Sequence, residues 1–208
     1  MAERVRESYD RVAAAYSQRF LDELAHKPLD RAILEGFAEL VRDGRILDVG
    51  CGPGQTTRYL HGVGARVIGL DLSPGLIAEA RAAHPRVPFA VGDMFAPPFR
   101  DEAFAGMIAF YAVCHAPPDA LPRLFAAWRR VLAPGGWLLV SFHLGQERVH
   151  LDDWFERKVD LDFWFFARPQ VETALREAGL FLEGFVERDP DPKVEHPSRR
   201  AYLLARRW

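Results

Sequence analysis

Cysteine is scarce in this 208-residue chain. Cys51 and Cys114 are the only two, too far apart for a Cys-x-x-Cys redox or metal motif, and they indicate no disulfide framework. A reducing cytoplasm is the expected setting. Net charge is small as well, -2 at pH 7, so no global field draws the chain to phosphate backbones or anionic lipid. Nucleic acid and membrane are therefore not expected partners. The Arg199-Arg200 and Arg206-Arg207 pairs read as solvated strand ends or as partners of nearby acidic residues. No apolar run approaches the ~20 residues needed to span a bilayer. The opening Met1-Ala2-Glu3-Arg4-Val5-Arg6-Glu7 is too charged for a signal peptide. No acidic cluster has cation-ligand spacing, so no metal is expected, and no GxxxxGK[ST] phosphate loop occurs.

What is present is an ordinary globular mixture, 49% hydrophobic and 27% charged, enough for a sizeable core. Val5, Tyr9, Val12, Tyr16 and Phe20 recur at steps of three and four and predict an amphipathic first helix. A second helix carries Leu29, Ile33, Leu34, Phe37 and Leu40 and closes at Asp43-Gly44. From there strands alternate with helices. Five strands are predicted at residues 45–49, 66–70, 87–91, 104–110 and 136–142, with Ser73-Pro74 as an N-cap and first-turn proline. Residues 149–166 break the rhythm with two aromatic-rich runs about the polar Glu156-Arg157-Lys158, as a hairpin would. A helix at 169–178 and two closing strands follow.

The plan is one α/β domain: a doubly wound, mostly parallel seven-stranded sheet, Rossmann-like, with helices on both faces and a last antiparallel strand. Residues 1–43 supply cover helices, 44–148 the cofactor-binding core, 149–166 a substrate-side insertion after strand five, and 167–208 the closing helix and strands.

The first strand runs into Asp48-Val49-Gly50-Cys51-Gly52-Pro53-Gly54-Gln55. Glycine permits positive φ and, without Cβ, lets backbone approach a ligand closely. In an open α/β sheet such a loop lies at the carboxyl edge, where ligands bind. Asp71 ends the second strand, 21 residues after Gly50, where a carboxylate can accept two ribose hydroxyls. Both features point to an adenosine-containing cofactor. A nicotinamide fingerprint would need a third glycine at position 55, which is Gln55, and Pro53 removes a backbone donor that a pyrophosphate would use.

The arrangement resembles the class I S-adenosylmethionine-dependent methyltransferases over nearly the whole chain. Ile46-Leu47-Asp48-Val49-Gly50-Cys51-Gly52-Pro53-Gly54 is similar to that family's first motif, Val67-Ile68-Gly69-Leu70-Asp71-Leu72-Ser73 to its second and Gly92-Asp93-Met94 to its third. Leu132-Ala133-Pro134-Gly135-Gly136 resembles its late glycine turn, and Tyr9 to Tyr16 its small-molecule members' cover helix. The resemblance implies that Asp48 with Gly50, Cys51, Gly52 and Gly54 holds the methionine end of S-adenosylmethionine, and Asp71 the ribose. Leu72 and Met94 would face the adenine, Asp93 its amino group, with Tyr16 and Phe110 also against the cofactor. S-adenosylhomocysteine would be the product.

Methyl transfer from a sulfonium needs an aligned nucleophile, and an oxygen or nitrogen nucleophile must also lose a proton. His115 and His143, after the fourth and fifth strands, are the candidate bases on the ligand-binding rim. Tyr9 and Tyr16 either close over the cofactor or pack the first helix, with core packing the preferred reading for Tyr9. Trp154, Phe155, Phe163, Trp164, Phe165 and Phe166 could wall a pocket for a hydrophobic or aromatic small molecule. A nucleic-acid methyltransferase fits poorly, because Phe110-Tyr111-Ala112-Val113 is not the [ND]PP[YF] motif of base methylation. A cofactor-binding but inactive module and a nicotinamide oxidoreductase are the remaining alternatives.

Overall fold

A computed structural model describes residues 2–208; Met1, part of the charged opening segment, lies outside the described residues. Strands β1 (Arg45–Val49), β2 (Arg66–Asp71), β3 (Phe89–Val91), β4 (Phe104–Phe110), β5 (Leu132–His143), β8 (Leu180–Arg188) and β9 (Arg200–Arg207) form one sheet in the order β3-β2-β1-β4-β5-β9-β8. β1 to β5 pair in parallel, and β9 runs antiparallel to both neighbours. β6 (Arg148–Trp154) and β7 (Arg157–Trp164) form a separate two-stranded hairpin.

Side-chain alternation along these strands builds two cores. Leu47, Val49, Met107, Ala109, Leu138, Val140 and Leu203 point to one face and pack with α5 (Leu121–Val131) and α6 (Arg168–Glu177). Their neighbours Ile46, Ile108, Leu139 and Tyr202 point to the other, beneath Leu34 and Phe37 of α2 (Pro28–Leu40) and Leu60 of α3 (Gln55–Gly62). Strands buried on both faces explain why their sequences read as continuous apolar runs.

Three local expectations shift. The third strand shortens to Phe89–Val91, because the chain at Val87 still turns, its N–H donating to His84 O at 3.0 Å. β5 starts at Leu132, which pairs with Phe104, and the expected glycine turn becomes a bulge inside the strand, with Gly135 at φ 75 and pairing resumed at Gly106 with Trp137. The hairpin turns at Phe155 and Glu156, both at positive φ (52 and 58), so Arg157 and Lys158 belong to β7.

α1 (Ala2–Phe20) lies over the carboxyl end of the sheet. Its Tyr9, Val12 and Ala13 pack with Leu76 of α4 (Pro74–Ala83) and with Val159 and Leu161 of β7. As expected, Ser73 caps α4, its Oγ accepting from Leu76 N at 3.0 Å. Arg4 donates to Asp160 at 2.9 Å and to Asp162 at 2.7 Å, fastening the helix to the hairpin. Burial alone would raise the Asp162 carboxyl, but bonds from His150, Arg148 and Arg4 outweigh it and hold it at about 2. α1 and the hairpin thus form one cover joined largely through Asp162. Asp162→Ala should speed amide hydrogen exchange across α1 by at least about tenfold while β4 and β5 keep their protection; unchanged exchange in α1 would show that apolar packing alone holds the cover.

Candidate functional site

Under this cover lies a cavity of about 800 Å³, above the carboxyl ends of the strands. That is near the upper end of the roughly 300–1,000 Å³ usual for small-molecule sites, so two small ligands can sit together.

Gly50, Gly52 and Gln55 after β1, Asp71 and Leu72 after β2, and Asp93 and Met94 after β3 line one end. Gly50 is at φ 68 with room for no side chain, since a Cβ there would sit 2.4 Å from Ala112 Cβ. The Asp71 carboxylate accepts from Gly52 N–H and Ser73 N–H, both at 2.9 Å, which ties the first loop to the second. Burial raises the Asp71 pKa, opposed by those backbone donors. Asp93 accepts from Phe95 N–H at 2.8 Å through Oδ1. Gln55 Oε1 is buried without a partner, while its Nε2 donates to Glu23 at 3.0 Å. An orphaned acceptor, a cradle open only at glycine, and carboxylates after β2 and β3 are a donor and acceptor set suited to an adenosine bearing hydroxyl and ammonium groups.

Of the residues expected at the cofactor, Tyr16, Gly50, Gly52, Asp71, Leu72, Asp93, Met94 and Phe110 reach the cavity wall. Asp48, Cys51 and Gly54 are not on it. The Asp48 carboxylate is 1% exposed and turned under the loop, where it accepts from Thr57 Oγ1 at 2.6 Å. Its burial pushes the carboxyl up to about 7 against the Thr57 bond. Cys51 packs with Ile77, Ala80 and Phe89, and Gly54 turns at φ 86 against the Phe89 ring. These three shape the loop from behind. Glu23 and Gln55 line the cavity instead; the contact between them spans 32 residues, and no local pattern signals it.

His115 lines the same cavity, on a short 3₁₀ turn after β4. Its Nδ1–H donates to Asp162 O at 3.1 Å, so Nε2 is the acceptor, receiving Tyr9 O–H at 2.8 Å. Burial lowers the imidazole to about 4, outweighing the pull of Asp162. Tyr9 is therefore not mere core packing: it lines the cavity and bonds to His115. His143 also reaches the wall, stacked on Phe165 at 5.0 Å with Nδ1 2.7 Å from Ser198 Oγ. Burial first, then Arg200, His196 and Lys27, push it down to about 3. Of the six insertion aromatics, Trp154, Phe163 and Phe165 line the cavity. Phe155 packs on Trp154, Trp164 lies under Arg148, and Phe166 is buried against Phe142.

Two further wall residues escaped the sequence reading. Tyr111 follows β4 at φ 58, a left-handed position that a non-glycine residue holds only when its surroundings fix it. Arg200, read as a solvated strand end or a partner of nearby acidic residues, is 3% exposed, lies 3.3 Å from Glu195 and lines the cavity.

The family described as "Methyltransferase domain" matches residues 46–136. A malonyl-[acyl-carrier protein] O-methyltransferase of Erwinia pyrifoliae is 34% identical over 182 residues, covering 84% of this chain and 68% of that protein. The sterol 24-C-methyltransferase ERG6B of Gibberella zeae is 31% identical over 163 residues, covering 70% of this chain and 39% of that protein. The chain spans about half the length of the curated relatives it matches. The Burkholderia thailandensis 1,6-didemethyltoxoflavin-N1-methyltransferase, crystallised with that substrate and S-adenosylhomocysteine, is similar in fold, with a TM-score of 0.76 at 24% identity over 99% of this chain and 88% of that one.

Gly50→Ala should destabilise the chain by about 2 kcal/mol or more in urea unfolding, since it combines a left-handed φ with a clash against the Ala112 methyl. Gly62→Ala, on the helix with open space around it, should be neutral or stabilising. Equal midpoints for the two variants would refute the close-packed loop.

Proposed function

This chain belongs to the class I S-adenosylmethionine-dependent methyltransferase family, and on that premise we propose that it transfers a methyl group to an oxygen, nitrogen or carbon of a small molecule with a hydrophobic or aromatic body. One observation carries the reading: a single cavity is lined by the glycine loop with Asp71 and Asp93 and by Tyr9, His115 and aromatic side chains. The relatives act on acceptors as different as an acyl-carrier-bound malonyl group and a sterol, so the acceptor is argued from this chain's own wall.

When bound, S-adenosylmethionine supplies a methyl group already activated as a sulfonium, which leaves alignment and proton handling to the protein. We assign Asp71 to the ribose hydroxyls, Asp93 to the adenine amino group, Leu72 and Met94 to the adenine faces, and Gly50, Gly52, Gln55, Tyr16 and Phe110 to the remainder of the cofactor. Ionised carboxylates suit these tasks because charge-assisted bonds are the stronger kind.

Tyr9 and His115 are the proton-handling pair. The His115 Nδ1–H is committed to Asp162 O, so Nε2 carries the lone pair. An acceptor hydroxyl or amine can pass its proton to the Tyr9 oxygen as Tyr9 passes its own to Nε2, leaving imidazolium and a neutral phenol. Once the methylated product leaves, the imidazolium gives its proton back to Tyr9 as Tyr9 gives one to water, which restores the pair. His143, tied to Ser198 and stacked on Phe165, is assigned to positioning the acceptor.

Asp71→Ala should weaken S-adenosylhomocysteine binding by at least about tenfold in calorimetry, since removing a partner of two hydroxyls forfeits charge-assisted bonds. Wild type that ignores this ligand and binds NADH would replace the reading with an oxidoreductase. With an acceptor found by radiolabel transfer, Tyr9→Phe and His115→Ala should each lower kcat about 10²-fold or more at unchanged S-adenosylhomocysteine affinity. The neutral imidazole is the active form, and its pKa is lowered to about 4. The acid limb of the rate profile should therefore fall below pH 5. A limb near the ordinary histidine value of about 6.5 would remove His115 as the base.

A further inference from the structure

We propose that the acceptor is an anion whose carboxylate is held at the β5–β9 end of the cavity by Arg200, with Lys27 and Lys193 beside it; this rests on the methyltransferase reading and adds a substrate class to it.

Arg200 opens β9 and pairs with His143 at the end of β5. Its guanidinium is buried in the cavity wall with its hydrogen-bonding capacity only partly used. Nη1 donates to the carbonyls of His196 at 3.1 Å and Ser198 at 2.6 Å. Nε lies 3.3 Å from Glu195 Oε1, within ion-pair range, yet it is buried and not directed at any acceptor. Nη2 donates to nothing among the described residues. A buried guanidinium with open donors is costly until an anion meets it.

The nearby Glu195 carboxylate meets it only in part. Both Glu195 oxygens are taken by Arg188, at 2.6 and 2.7 Å. Arg188 also reaches Asp30 at 3.0 Å, and Lys27 is paired with Glu23 at 2.6 Å. On the wall of this end stand the cations Lys27, Lys193 and Arg200 against the carboxylates Glu23 and Glu195; behind it Arg188 and Asp30 cancel. The enclosed groups balance, the surplus charge is that of the exposed Lys193 at the rim, and what remains for an anion inside is the pair of unused donors on Arg200.

The surrounding wall fits a flat, conjugated acid. The His143 ring is tilted 35° from Tyr111 at 5.1 Å and 23° from Phe165 at 5.0 Å, so the three rings stand as one layered face. Arg200 Cζ lies 5.9 Å from the Tyr111 ring centroid. From β1, which carries the glycine loop, to β9 is three strand steps through β4 and β5, about 14 Å at the usual strand spacing. A carboxylate at Arg200 is thus an anchor, and a separate oxygen or nitrogen on the same molecule reaches toward the cofactor end.

The test uses the full chain saturated with S-adenosylhomocysteine. Calorimetry compares 4-hydroxybenzoate, 4-hydroxycinnamate and 4-hydroxyphenylacetate with their carboxamides, and phenyl phosphate as a second oxyanion. At least one acid should bind tenfold or more tightly than its amide. Arg200→Gln should abolish that preference, and Lys27→Met, a second variant in case the first does not fold, should reduce it. Acids that bind no better than amides, a preference only for the phosphate, or a folded Arg200→Gln variant that keeps the preference would overturn the anchor while leaving the methyltransferase reading intact. Failure of S-adenosylhomocysteine itself to bind would instead remove the reading beneath it.

Discussion

The Asp71 carboxylate is the joint on which the site depends. Through Gly52 N–H and Ser73 N–H it locks the loop after β1 to the loop after β2. Ser73 in turn donates its hydroxyl to Asp10 of α1 at 2.5 Å, and Gly75 N–H donates to the same oxygen at 2.9 Å. One chain of bonds therefore runs from the glycine loop to the cover helix. Apart from the Ser73 hydroxyl, each step uses a backbone donor at a helix start or turn that would otherwise lack a partner. The cover is fixed over the cavity at one edge by Asp10 and at the other by Asp162, and between them Tyr9 is held within reach of His115.

This enclosure sets the protonation of what lies inside. His115 and His143 both titrate far below an ordinary histidine, in each case first because burial penalises the charged ring. Tyr9 and Tyr16 move up for the same reason. A neutral imidazole facing a neutral phenol can exchange a proton without first shedding a charge. At the β5–β9 side the arrangement differs: Lys27, Arg188 and Arg200 pair with Glu23, Asp30 and Glu195, and Arg200 Nε stays buried without an acceptor.

How legible this was in the sequence depended on how local each cause is. The seven-stranded sheet, its last antiparallel strand and the hairpin follow from patterns within ten or so residues, and Ser73-Pro74 announced the start of α4. The glycine loop was legible because positive φ at Gly50, Gly52 and Gly54 leaves a mark that no other residue makes. What it could not reveal was which side of the loop each residue serves. Asp48 and Cys51 sit inside the motif, yet their side chains pack beneath it, an outcome decided by Thr57 and Phe89 on other elements.

The same limit explains the misreading of Tyr9 and Arg200. An aromatic at helical spacing is by default a core residue, and an arginine pair at a strand end is by default solvated. Neither default accounts for a concave sheet edge roofed by a separate helix and hairpin. Tyr9 faces inward like a core residue, but what lies inward is a cavity with His115 across it, separated by 106 residues. Arg200 lies deep because β9 returns antiparallel between β5 and β8, which carries its first residue onto the carboxyl edge where the parallel strands end. In an all-parallel sheet that edge receives only the ends of strands; the antiparallel return adds the beginning of one, and with it a cation that no local motif on the parallel strands could supply.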